Sequence, residues 1–169
     1  KGNERQELRL HWGKSDASSE SSGSAVFNES NGYLSVWHMN GPVKDDVGTL
    51  ESNDVGTTAT TGMIGEARHL AGGQGVFGGD KIPNYPVGAG SHSSEMWFRA
   101  EKSNGRALAW GNEHGQGKVV MHFQSPPHVK MECYFSGADV STAGRLPMNE
   151  WIHVVHTYQQ GDSRVYVNG

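Results

Sequence analysis

From Ser91 onward the chain repeats one pattern: short runs in which apolar and polar residues alternate, each closed by Gly, Pro, Asn or Asp. The runs are SEMWFRA (94–100), RALAWG (106–111), KVVMHFQ (118–124), VKMECYF (129–135), EWIHVVHTY (150–158) and SRVYVNG (163–169). Successive side chains of a strand point to opposite faces, so this alternation marks strands with one face against a core. Short strands recurring with turn residues between them indicate a sandwich or a barrel. No helical period competes over a window long enough for a helix of more than about two turns. The composition agrees: 24 glycines and 34% hydrophobic residues in 169 suit an all-β chain of short strands and many turns, with room for one full domain.

Parity sorts the two faces of these strands. Met96 and Phe98, then Val119, Met121 and Phe123, then Val129, Met131, Cys133 and Phe135 share one parity and are expected in the core. The other parity holds Glu95, Trp97, Arg99, Lys118, Val120, His122, Gln124, Lys130, Glu132 and Tyr134, a polar surface dotted with aromatics. Trp37, Trp110 and Trp151 read as packing residues. His153 and His156 differ by three and point to opposite faces of their strand, so they cannot share a zinc ion.

The first part of the chain is less regular. Residues 7–12 (ELRLHW) alternate like a strand and stop at Gly13, and the Ser-rich 14–23 reads as a linker, which puts a boundary near residue 24. A strand is expected over 33–39 (YLSVWHM) and a short one over 67–70. The polar stretch 41–62 and the Gly- and Pro-rich stretch 72–90 are expected to be loops.

Several classes of function fall away. The net charge is −4 and the 14 basic residues are scattered, which leaves no footprint for nucleic acid. No apolar run approaches the roughly 18 to 20 residues of a membrane helix, and the opening KGNERQELRL lacks the apolar centre of a signal peptide. The single cysteine excludes an internal disulfide, and its core parity between Met131 and Phe135 makes it a buried thiol, not a nucleophile.

The segments RHLAGGQGVF, SSEMWFRA, ALAWG and LPMNEWIHVVHTYQQGDSRVYVNG resemble the laminin G-like domains of bacterial surface proteins, which are concanavalin A-like jelly rolls. The closing pattern through Trp151, His153, Tyr158, Gly161, Tyr166 and Gly169 is the most specific part; that family usually has Asp where Asn168 stands. Residues 8–40 resemble the junction at which a small bacterial domain of the DUF2341 type ends, followed by a Ser-rich linker and a "VWH" strand. The expected layout is therefore the end of a preceding domain with its linker over 1–23 and an antiparallel β-sandwich over 24–169. The resemblance implies further strands after Gly169, so the sandwich is expected to be incomplete at its C-terminal end. Neighbouring domains or a second chain would then complete it.

The resemblance also implies ligands. Related domains often hold Ca²⁺ in an acidic turn, and here Asp45, Asp46, Asn53 and Asp54 offer the oxygen donors that calcium requires. For a glycan, the polar sheet surface offers Trp97, Arg99, His122, Glu132 and Tyr134, because sugars stack C–H faces on aromatic rings and pair their hydroxyls with charged groups. The other reading buries Trp97 beneath further strands or a loop. Glycoside hydrolases on this fold need paired carboxylates, and Glu95 and Glu132 stand alone on their strands. The expectation is a non-catalytic carbohydrate-binding module of a secreted or cell-surface bacterial protein, and the alternative is a structural or adhesive spacer.

Overall fold

The computed structural model describes residues 5, 7–48, 50–86, 89–112, 117–133 and 138–169. Their alternation is realised as antiparallel strands in four sheets. The larger sheet has the order β6–β7–β8–β9, from β6 (Gly105–Trp110), β7 (Val119–Gln124), β8 (His128–Cys133) and β9 (Val140–Ser141). The second has the order β11–β10–β5, from β5 (His92–Arg99), β10 (Trp151–Gln159) and β11 (Asp162–Val167). Two smaller pairs join β1 (Asn53–Val55) to β4 (Gly75–Phe77) and β2 (Thr58–Thr61) to β3 (Glu66–His69). Helix among the described residues is limited to one turn at Gly23–Val26 and a 3₁₀ turn at Glu29–Asn31.

The two larger sheets pack face to face through the parity set read from the sequence. Val119, Met121 and Phe123 of β7 and Val129, Met131 and Cys133 of β8 meet Ile152, Val154 and Tyr158 of β10, with Met96 and Phe98 of β5 packed against them. Phe98 and Phe123 touch edge to face across the layer, their centroids 5.5 Å apart. Burying these side chains supplies about 1.5–3 kcal/mol each in apolar transfer, the main term holding the sandwich together. Phe135, assigned to the same parity, lies outside the described residues.

Local chemistry sets the hairpin between β10 and β11. Gln159 pairs with Asp162, so only Gln160 and Gly161 make the turn, and both have positive φ (49° and 88°). That is the backbone of a type I′ turn, whose twist matches that of the flanking strands; the glycine takes the second central position without strain. The turn fixes the register that places Trp151, His153 and Val155 on the outward face while Ile152, Val154, His156 and Tyr158 point inward.

The structure departs from the sequence reading in the first half of the chain. Residues 7–12 form no strand, and Leu8, Leu10 and Trp12 are exposed. Residues 33–39 form none either, because their backbone is engaged elsewhere: Val36 N–H donates to the Asp45 carboxylate and Val36 C=O accepts from Asp46 N–H. Conversely, the stretches read as loops hold β1, β2 and β4. Trp110 packs against the core and Trp37 is half-buried with its indole N–H on Ser52 Oγ. Trp151, read as a packing residue, sits on the outward face of β10, since Ile152 beside it takes the inward position.

Candidate functional site

The outward face of the β11–β10–β5 sheet is built from cross-strand neighbours. Trp97 lies directly opposite His153, and Arg99 directly opposite Trp151. The Trp97 and His153 rings stack at 4.9 Å and 29°, and the Arg99 guanidinium sits 5.7 Å from the centre of the Trp151 ring. Such pairs stabilise a sheet surface and hold both indoles in place. His153 Nε2 meets the Glu95 carboxylate at 2.8 Å. Arg99 reaches Glu101 at 3.2 Å, and Glu101 in turn lies 3.4 Å from His69 Nε2.

Asn168 locks the end of β11 to this platform. Its side-chain oxygen accepts from His153 N–H at 3.0 Å, and its own N–H donates to His153 C=O at 2.9 Å. The residue has φ 55°, a left-handed conformation that Asn tolerates better than most residues, and its amide oxygen takes the acceptor role that an Asp carboxylate would fill. Over this floor lies an open cleft of about 450 Å³ lined by Met63, Trp97, Trp151, His153, Asn168 and Gly169. Trp97 is 42% exposed, so its ring is available to a ligand. Parity alone signalled Trp97; Met63, Trp151 and His153 were missed as site residues, although the same alternation in EWIHVVHTY put Trp151 and His153 on the outward side.

The five residues assigned to a glycan do not share one surface. Trp97 and Arg99 lie on the outward face of the three-stranded sheet, whereas His122 and Glu132 lie on the outward face of the four-stranded sheet, across the core. Tyr134 lies outside the described residues. Glu132 is closely held: its carboxylate has Lys130 at 3.3 Å, Lys118 at 3.6 Å and His122 Nε2 at 3.3 Å, the last too poorly aligned for a hydrogen bond. Lys130 also pairs with Asp139 at 3.2 Å, and this bond, ahead of that to Glu132, raises its pKa. Glu132, Lys118 and His122 are mostly covered, so this second face offers far less to a ligand than the indole platform.

The residues assigned to calcium are also separated by their contacts. Asp45 accepts from the backbone N–H groups of Val36, Val47 and Leu50. Asp46 pairs with Lys44 at 2.8 Å and His38 at 3.1 Å. Asp54 accepts from Thr57 Oγ1 and N–H and pairs with Arg68 at 2.8 Å; the Thr57 hydroxyl is the main cause holding its carboxyl below the usual range. Asn53 donates to Glu51. Among the described residues no three His, Cys, Asp or Glu side chains are gathered to hold a metal ion. As arranged, the four do not fit one calcium ion, because each is turned to a different internal partner. The expected result is a melting temperature unchanged by calcium or chelator; an upward shift with calcium would show that the loop gives up these bonds to the ion.

Residues 74–169, more than half of the chain, match the laminin G-like family model described as the concanavalin A-like lectin/glucanases superfamily. No curated protein and no solved structure matches the chain. Among the described residues no helix is long and apolar enough to cross a membrane.

Proposed function

Since the chain belongs to the concanavalin A-like lectin/glucanases superfamily, we propose that it is a non-catalytic carbohydrate-binding module of a secreted or cell-surface bacterial protein. The observation that carries this reading is the pair of indoles, Trp97 and Trp151, held on the outward sheet face and lining an open cleft. Aromatic rings fixed at a surface offer an apolar plane to the C–H face of a pyranose, and the polar groups around them meet its hydroxyls. Glu95 and Glu132 support the non-catalytic part. They lie on opposite faces of the sandwich, so they do not form the acid and base pair that glycoside hydrolysis needs.

Trp97→Ala tests the proposal. Trp97 lies outside the core, so the variant should melt close to the parent while glycan affinity falls by about 1 to 3 kcal/mol, the range seen when a stacking aromatic is removed. Affinity electrophoresis in polysaccharide gels reads the binding, and thermal denaturation reads the fold. A large loss of melting temperature with unaltered retention would sink the proposal and favour the spacer alternative.

A further inference from the structure

The floor of the cleft comes from the segment that matches the family, but one wall does not. Met63 belongs to the β2–β3 hairpin, which precedes residue 74. The tip of that hairpin is Gly62-Met63-Ile64-Gly65, closed by Gly62 N–H donating to Gly65 C=O at 2.9 Å. Its two glycines are required by geometry. A Cβ on Gly62 would stand 2.8 Å from Glu66 C=O, and Gly65 has φ 68°. Between them stand two apolar side chains that folding leaves in water, Met63 at 54% exposure and Ile64 at 84%. A hairpin tip gains no stability from apolar residues held in solvent, and here one of the two, Met63, lines the same cleft as the two indoles.

The hairpin is held in place beside the cleft. Arg68 of β3 pairs with Asp54 and donates to the Thr57 hydroxyl and carbonyl; His69 faces Glu101, which is itself bonded to Arg99 of the platform; Glu66 accepts from Gly41 N–H. The cleft is thus bounded by indole rings below and a thioether at its side. Its charged side chains already have partners: Glu95 meets the His153 ring, Arg99 meets Glu101, and Arg164 meets Asp162 at 2.6 Å on the same sheet face. Both arginines of this face are engaged, and around the cleft Glu95 and Glu101 outnumber Arg99. An anionic sugar would therefore meet no unengaged guanidinium and a surplus of carboxylate.

We infer that the hairpin tip is the specificity element of the cleft, with Met63 confining an uncharged pyranose ring against Trp97 and Trp151, so that the module takes neutral and not acidic glycans. The inference rests on the glycan-binding reading given above. Met63 is well suited to the role, since a flexible, polarisable thioether adapts its shape to an apolar ring face.

The test uses the full chain and gels containing neutral polysaccharides (a soluble β-glucan, a galactomannan) or acidic ones (polygalacturonate, a sulfated galactan). The parent should be retarded by a neutral polymer and not by the acidic ones, with retention insensitive to added salt. Met63→Asp should weaken it about tenfold, the scale of one good contact, without moving the melting temperature. Retention by the acidic polymers that Trp97→Ala abolishes would overturn the neutral class while leaving the glycan reading standing. Undiminished retention of Met63→Asp on a polymer that Trp97→Ala no longer binds would overturn the role of the hairpin alone. If the parent is retarded by none of the polymers, both readings fall together.

Discussion

Acidification from pH 6.5 to about 4 is expected to remove up to about 3 kcal/mol from the stability of this fold, and His156 is the cause. Its side chain is fully buried, at 0% exposure, on the inward face of β10. Nε2 bonds to Ser163 Oγ at 2.9 Å, while Nδ1 has no hydrogen-bond partner. In the imidazolium both ring nitrogens carry a proton, so the buried Nδ1 would hold an N–H with no acceptor. Desolvation therefore lowers the pKa from 6.5 to about 4, with the neighbouring His92 ring adding to the effect. The unfolded chain binds the proton below pH 6.5 and the folded chain refuses it until about pH 4. Stability is thus intact above 6.5 and falls as the pH drops through that window, by about 1.4 kcal/mol per pH unit at the steepest. His92 adds to the loss in the same direction, its own pKa being lowered by burial against the weaker opposing bond to Gly90 C=O. Urea unfolding at pH 7 and pH 4 measures the difference. His156→Phe, which keeps a ring of similar size, should lose most of it; an unaltered slope in that variant would assign the acid sensitivity elsewhere.

Asp45→Ala is expected to cost about 3 kcal/mol. Asp45 is only 7% exposed, and its carboxylate organises a segment that has no strand of its own. Its oxygens gather N–H groups from Val36, Val47 and Leu50, tying the 33–39 segment to the loop that follows it. Truncation strands these donors in a partly buried site, and each unsatisfied donor carries a penalty of about 1 to 3 kcal/mol, softened where water enters. Asp45→Asn keeps one acceptor oxygen but turns an NH₂ toward a donor, so it should lose less than alanine and more than nothing. Thermal and urea denaturation of the two variants give the order. Equal stability of parent and alanine variant would show that this network holds nothing together.

What could be read from the sequence depended on the kind of information each residue carried. Alternation reports which side of its own strand a residue occupies, and it placed Met96, Val119, Met121, Val129, Met131 and Cys133 inward and Trp97 outward. Alternation says nothing about which sheet a strand joins. Trp97 and Glu132 share the outward parity, yet their strands lie in different layers, and a core separates them. Trp151 was legible by the same rule but was assigned to packing, while its neighbour Ile152 takes the inward place. The strands of the first half gave weaker signals: Thr58–Thr61 is rich in β-branched residues but has no apolar alternation, and Gly75–Phe77 is embedded among glycines. YLSVWHM alternates well but forms no ladder, because the Val36 backbone is claimed by Asp45 and Asp46. A side chain competing for backbone hydrogen bonds leaves no trace in a hydrophobic pattern.

The sole thiol of the chain, Cys133, is completely covered at the centre of the packed layers. Thiol exchange and thiol oxidation need a sulfur that reagents can reach, so in the folded molecule this cysteine is silent toward oxidants, reductants and other thiols around it. No disulfide through Cys133 can join two copies, or a copy to a neighbour, until the sandwich opens. As far as its cysteine is concerned, the domain is therefore as well suited to an oxidising surrounding as to a reducing one, and the persistence of the free thiol in either is set by how seldom that core opens.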